Sequence, residues 1–252
     1  MSKERERELF INRIRELANQ SYSHNRFVFS DFLSEAEYSD VLGIGDLPVK
    51  LQASGGHADA ERVMVRFGDS EELGYEEPFP IVILKVSPLI EKFSDTFTHR
   101  DFLGALMNLG LERRVIGDIL TDGTYGYVFC EEKIAQFILE SFTKVKHTTV
   151  KIDQVQSAPD SFNPHLESCQ IQLSNERLDA VVAHVCRMSR NEAAEAFRAQ
   201  KVFVNSRLME NHSYRPKPDD LISVRGYGRF RYVGMTHLTK KGKINVEILK
   251  YV

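Results

Sequence analysis

The run VRGYGRFRYVG (224–234) interleaves Arg225, Arg229 and Arg231 with Tyr227, Phe230 and Tyr232. Guanidinium groups grip phosphates and aromatic rings stack on bases, so this composition points to nucleic acid. On a strand, residues 229 and 231 share one face while 230 and 232 share the other, which sends arginine outward and aromatic inward. Gly226 and Gly228 are expected to mark a bulge. Tyr227 is the ring best placed to stack on a base, a capped core edge being the competing role. Arg177 and Arg190 each open a predicted helix, where free N–H groups favour phosphate. Lys201 and Asn205 flank the strand that leaves the second helix, and these four are expected to form one face. Arg177 has an alternative as surface charge paired with Asp179 or Glu176. Ser189 is counted with the RNA-contacting set, although it and Asp179 also suit the cap and the helix pair. Lys240, Lys241 and Lys243 belong to a loop that either tracks phosphates or is simply solvated.

These residues need elements to hold them. Residues 3–20 read as an amphipathic helix through Leu9, Phe10, Ile14 and Leu17. Residues 34–42 read as a second helix, capped by Ser34 and stopped by Gly43. LQASGGHADAERVMVRFG (51–68) mixes a glycine turn with a strand, and the acidic GDSEELGYEE (68–77) reads as a link. The middle is more regular: strand 80–86, a helix opened by Thr98 and Asp101 and closed at Gly110, strand 113–120, the DGT turn (122–124), strand 125–130, helix 132–142 and strand 145–155. That β-α-β-β-α-β order is the split ferredoxin-like pattern shared by RNA-recognition domains. QSAPDSFNPH (156–165) is turn-rich. Beyond it come helix 175–187, a helix opened by Ser189 and Glu192, a short strand 201–208 turning at Asn205-Ser206, and strands 220–234 and 243–251.

Composition bounds the function. The 252 residues are 42% hydrophobic and 27% charged, which is globular and excludes a disordered chain, a collagen or a coiled-coil rod. Three cysteines without a CxxC pair speak against a zinc ribbon or a disulfide framework. MSKERERELF, with six charges in its first eight residues, does not read as a signal peptide. No apolar run approaches the about 18 residues that span a bilayer, so a reducing cytoplasmic setting is expected. The net charge of −3 hides a split. Residues 174–252 hold 15 Lys and Arg against 8 Asp and Glu, while 1–173 hold 18 against 28. A basic, polyanion-facing module on an acidic body has this asymmetry.

RLDAVVAHVCRMSRNEAAEAFRAQKVFVN (177–205), followed by DDLISVRG (219–226), resembles the S-four RNA-binding domain, named after the fourth small-subunit ribosomal protein. The Arg-Leu-Asp helix opening, the Ser-Arg helix start, the Val-x-Val-Asn strand and the Asp-x-Ile-x-Val strand stand in family order. ASGGHADAER (53–62), THRDFLGALMNLGLERRVIGDI (98–119) and RGYGRFRY…TKKGK (225–243) together resemble the YlmH family of bacterial RNA-binding proteins over nearly the whole chain. The resemblance implies an α+β chain in three parts: an N-terminal helical/mixed domain (1–75), a ferredoxin-like, RNA-recognition-like βαββαβ domain (79–156) and, after a linker (157–168), a C-terminal S-four α/β domain (169–252). It implies binding to ribosomal RNA, and to peptidyl-tRNA, on large ribosomal subunits during rescue and quality control. A monomer without cofactor or metal is expected. One departure is Gln200, where S-four domains often place glycine; a positive φ there would be strained.

Other residues suggest different chemistry. Tyr125, Tyr127 and Phe129 alternate onto one face and GYVF (126–129) is weakly similar to the aromatic strand of RNA-recognition domains, but IVILKV (81–86) lacks the partner ring. Arg100, Arg113 and Arg114 read as surface charge. An RNA-modifying enzyme is the main alternative, since Arg-Leu-Asp (177–179) superficially matches the catalytic segment of pseudouridine synthases. There a turn should follow, whereas Asp179 runs into the helix interior AVVAHV. RMSR (187–190) and the G-x-G of 43–46 and 226–229 lack the strand-to-helix turn of a nucleotide site. His99 and Asp101 suggest acid–base chemistry, which helix capping explains equally well. A protein–protein adaptor, with the acidic body as the docking part, is a third class.

Overall fold

The computed structural model describes residues 3–57, 60–159, 162, 166–205, 207–239 and 242–251. Contacts divide the chain into two units, Met1–Asn163 and Pro164–Val252. The first unit opens with α1 (Lys3–His24), β1 (Val28–Phe29), α2 (Glu35–Leu42), β2 (Leu51–Ser54), β3 (Met64–Phe67) and α3 (Ser70–Leu73). Ile14, Leu17 and Ala18 of α1 pack on Val41, Val65 and Phe67, the helical spacing doing what the sequence predicts. Leu9 instead remains 52% exposed. The helix also runs past residue 20, because Ser21 is buried and its hydroxyl donates to the carbonyls of Arg26 and Phe67 at 2.8 and 2.9 Å. Such a polar inward residue leaves no apolar signal to read. At α2 Ser34 caps the helix as expected, and Glu37 completes a capping box with it.

β1, β3 and β2 form a three-stranded antiparallel sheet. Arg66 on the central strand is 3% exposed. A buried cation requires partners, and Arg66 has them: Glu76 at 2.6 Å, the Glu77 carbonyl and Gln52, with the guanidinium over the Phe27 ring at 4.5 Å. The acidic segment 68–77, expected as a link, is therefore folded. It carries α3 and closes over a charge.

The chain continues through β4 (Ile81–Pro88), α4 (His99–Asn108), β5 (Ile116–Thr121), β6 (Gly126–Glu131), α5 (Glu132–Ser141), β7 (Lys144–Val145) and β8 (Thr148–Val155). These strands form one antiparallel sheet in the order β5-β6-β4-β8-β7. Without the short β7, this is the order that the βαββαβ reading requires. Phe102 and Leu106 of α4 and Ala135 and Ile138 of α5 pack on Val82, Leu84, Val86 and Val128, so both helices cover one face. Gly126 permits this closeness, since a Cβ there would stand 2.5 Å from the Phe102 ring. Strand β5 starts at Ile116 rather than 113, because Arg113–Val115 form a 3-10 turn. The 53–62 segment is tied to this sheet through Asp118, whose carboxylate accepts from Glu61 N at 2.7 Å and Arg62 N at 3.2 Å and meets His57 Nε2 at 3.0 Å.

The second unit holds β9 (Leu166–Leu173), α6 (Leu178–Val185), α7 (Arg190–Arg198), β10 (Val202–Val204), β11 (Arg207–Leu208), β12 (Leu221–Val224), β13 (Gly228–Leu238) and β14 (Ile244–Tyr251). They make a six-stranded antiparallel sheet, β11-β10-β12-β13-β14-β9. β9 begins inside the stretch expected as linker and pairs with β14 from Leu166↔Tyr251 to Leu173↔Ile244. Leu178, Val181 and Val182 of α6 and Ala193 and Phe197 of α7 pack on Val202, Ile222, Phe230 and Ile248. The run 220–234 is not one strand. Val224 pairs with Gly228, which leaves Arg225–Tyr227 as a hairpin loop with Gly226 at φ +88°. Gly226 thus serves a turn rather than the bulge expected there, and the register shifts of β13 fall between Tyr232 and Gly234 and between Met235 and His237. No helix among the described residues is long and apolar enough to cross a membrane.

Candidate nucleic-acid interface

α6 turns its apolar side to the sheet, so Asp179, Ala180, Ala183 and His184 line its other side. The end of β9, this side of α6 and the start of α7 enclose a groove of about 710 Å³. Arg177, His184, Arg187 and Arg190 line it, with Gln172 and Asn175 as neutral partners and Asp179 as the one carboxylate. Arg177 stands at the N-cap position of α6. Its Nε donates to Asp179 Oδ1 at 3.1 Å and its Nη2 to Asp179 Oδ2 at 2.8 Å, with His212 Nδ1 2.9 Å away. The pairing alternative therefore describes Arg177. Asp179 raises the guanidinium pKa further, first through the hydrogen bond. The Asp179 carboxylate is occupied by Arg177 and by the backbone N–H of Ala180.

Ser189 and Glu192 close the capping box at the start of α7: Ser189 N donates to Glu192 Oε2 at 2.7 Å and Glu192 N to Ser189 Oγ at 3.2 Å. The hydroxyl is used as a cap, and Arg190 beside it is exposed. Arg187 was not singled out by the sequence reading. It sits at φ +53° in the turn between the helices, where Arg187 N donates to His184 O and Met188 N to Ala183 O. This is the helix stop normally given to glycine. A long cation is held in that conformation, exposed and lining the groove. The α7 stop is built the same way, with Gln200 at φ +54° and Lys201 N donating to Ala196 O, so the departure noted at Gln200 is a left-handed residue.

Lys201 and Asn205 do not line the groove. Asn205 is consumed by the fold: its amide donates to Asp220 Oδ1 and accepts from Leu221 N, both at 2.9 Å. Asp220 is 6% exposed and also accepts from Tyr214 and Lys217 N. Burial first, then that bond, pushes the Tyr214 phenol up to about 12. Lys201 is exposed, and its carbonyl accepts from Arg225 N at 2.9 Å.

Arg225, Arg229 and Arg231 belong elsewhere. Phe230 and Tyr232 are 1% and 2% exposed against the helices, so the arginines take the opposite sheet face, as the alternation predicts. Arg225 stacks on Phe203 at 4.6 Å and Arg229 on Tyr251 at 4.3 Å. Arg231 donates to the Tyr251 hydroxyl at 3.3 Å. Tyr227 stands at the hairpin tip, 51% exposed. Lys243 is exposed at the β13–β14 turn, while Lys240 and Lys241 lie outside the described residues. Of the four residues expected on one face, Arg177 and Arg190 line the groove while Lys201 and Asn205 do not, and Arg225, Arg229 and Arg231 gather separately on the sheet face. Among the described residues no group of three or more His, Cys, Asp or Glu is gathered for a metal.

Residues 75–158 of this antiparallel α+β chain match the family described as "Putative RNA-binding domain in YlmH". The chain is 27% identical over 246 residues to "Ribosome-associated protein quality control protein P2" of Bacillus subtilis (strain 168), covering 94% of this chain and 92% of that protein. Over residues 75–158 the chain is thus similar to the YlmH family. A solved structure, "Cell division protein ylmH from Streptococcus pneumoniae", has a TM-score of 0.49 at 18% identity and covers 65% of this chain and 96% of that one.

Proposed function

We propose that this chain is a non-catalytic, cytoplasmic RNA-binding protein of ribosome-associated quality control, which docks as a monomer on structured ribosomal RNA of large subunits that carry peptidyl-tRNA. The ribosomal setting follows the printed name of the B. subtilis relative. Residues 169–252 act as the S-four domain and 79–156 as an RNA-recognition-like domain, joined by 157–168 and preceded by an N-terminal part, 1–75. The observation that carries the RNA reading is the groove in which Arg177, Arg187 and Arg190 converge with a single carboxylate. Rigid cations at helix ends suit A-form RNA, which is recognised mostly by backbone and shape. Asp179, locked to Arg177 and Ala180 N, is not poised as a nucleophile.

Co-sedimentation with large ribosomal subunits over a salt series tests this. Arg187→Gln with Arg190→Gln is expected to weaken binding about tenfold and to lower the log–log salt slope by roughly one unit per lost phosphate contact. Arg177 is spared because its loss would strand Asp179. Unchanged affinity and slope in a folded variant would refute the groove.

A further inference from the structure

The face that a βαββαβ RNA-recognition fold offers to bases is closed in this chain. Ile83, Tyr127 and Phe129 are only 7%, 5% and 0% exposed. Phe162 stands edge-on to Tyr127 at 4.7 Å, and the His57 ring lies 4.6 Å from Phe129. Gly56, at φ +88°, comes so near that a Cβ would meet Phe129 at 2.9 Å. The chain's own segments fill the place of a base, so RNA held by residues 75–158 needs another surface.

Most cations of this region are already engaged. Arg113 donates to the Ile116 and Gly117 carbonyls, and burial lowers it to about 10. Arg114 pairs with Glu112 and Asp31, Lys133 with Glu131, and Lys151 with Asp153. Lys85 lies over the Tyr125 ring. Arg100 and Lys144 make no ion pair among the described residues, and both are exposed. They line one groove of about 490 Å³ between α4 and the α5–β7 junction, together with Lys146, Asn108 and Thr143. Its one carboxylate, Asp101, is taken by Thr98 at 2.6 Å and by Lys146 at 2.9 Å. The only aromatic lining residue, Phe142, is 2% exposed, which leaves no open ring for a base.

We infer that this groove, through Arg100 and Lys144 beside the Asp101-paired Lys146, is a second RNA site that grips the sugar–phosphate backbone and reads no bases. The inference rests on the proposal that the chain binds RNA. On an acidic body such a local cation cluster attracts a polyanion where the surrounding surface repels it.

The test titrates the full chain against protein-free large-subunit ribosomal RNA, and in parallel against intact large subunits, at several salt concentrations. Arg100→Gln with Lys144→Gln is expected to weaken binding to the protein-free RNA about tenfold and to lower the salt slope by roughly one to two units. Arg100→Lys with Lys144→Arg is expected to restore both. Arg13→Gln with Arg15→Gln on the exposed side of α1 controls for net charge and should change little. A groove variant equal to that control, beside a weakened Arg187→Gln/Arg190→Gln chain, would overturn the second site and leave the first standing. Weakening on intact subunits alone would make the groove a protein contact and overturn it as well. Wild-type chain that shows no salt-dependent RNA binding would instead defeat the underlying proposal.

Discussion

Arg187 at φ +53° occupies a region that disfavours a residue with a Cβ by about 1–2 kcal/mol. Gln200 at φ +54° bears the same strain but does not line the groove around Arg187. The pair separates stability from binding. Arg187→Gly should raise the urea midpoint, with a gain of about 0.5–1 kcal/mol after glycine's added unfolded-state entropy is counted. It should also weaken RNA binding several-fold. Gln200→Gly should raise the midpoint by a similar amount and leave the dissociation constant unchanged. Denaturation curves and titrations on the same preparations check both, and an Arg187→Gly chain that keeps full affinity would remove this residue from the site. The sequence makes Gln200 conspicuous because a family pattern expects glycine there. It hides Arg187 because only the backbone angle shows that a turn between two helices needs a left-handed residue. Arg177 shows the opposite limit. Its position at a helix start was legible, but its commitment to Asp179 depends on a rotamer and on His212, 35 residues away in sequence.

The start of α4 is held by Asp101, which accepts from Thr98 N at 2.7 Å and from Thr98 Oγ1 at 2.6 Å and pairs with Lys146 at 2.9 Å. The Thr98 side-chain bond, then Lys146, lowers the Asp101 carboxyl from 3.8 to about 2. A depressed carboxylate stabilises the fold above its unfolded pKa, and that contribution is lost as pH falls through the folded value. Acid unfolding should therefore steepen between about pH 4 and pH 2. Asp101→Asn should lower the midpoint at pH 7 and flatten that limb, as a series of urea midpoints against pH will show. An acid limb unchanged by the substitution would sever the link between this cap and acid stability. At this scale the sequence is most readable where one local rule suffices. The Thr98–Asp101 and Ser189–Glu192 boxes form as the spacing predicts, and Ser34 caps α2 as expected. Elements fixed by distant partners are less readable. Segment 68–77 folds because Arg66 is buried beneath it. β9 carries outward polar residues on a turn-rich approach and is recognisable chiefly by its pairing with β14.

At the scale of the whole molecule, the units Met1–Asn163 and Pro164–Val252 each bury their own apolar residues, and each contains its own thiol reporter. Cys130 is fully buried in the sheet of the first, where desolvation pushes its thiol up to about 12. Cys169 and Cys186 pack at the margin of the second core and are also raised by desolvation. A raised, buried thiol is nearly inert to alkylation at pH 8 until its surroundings open. Ile222 on β12 is 0% exposed in the second core, and Ile222→Ala should cost that unit about 2–5 kcal/mol. If the units open independently, pulse alkylation read by mass spectrometry will show Cys186 labelling faster by tens-fold or more, with Cys169 following, while Cys130 keeps its wild-type rate. Equal acceleration of Cys130 would mean that the chain opens as one cooperative body. The distinction bears on function, because the proposed RNA groove on each unit would let one contact survive the loss of the other only when local opening in one core leaves the other folded.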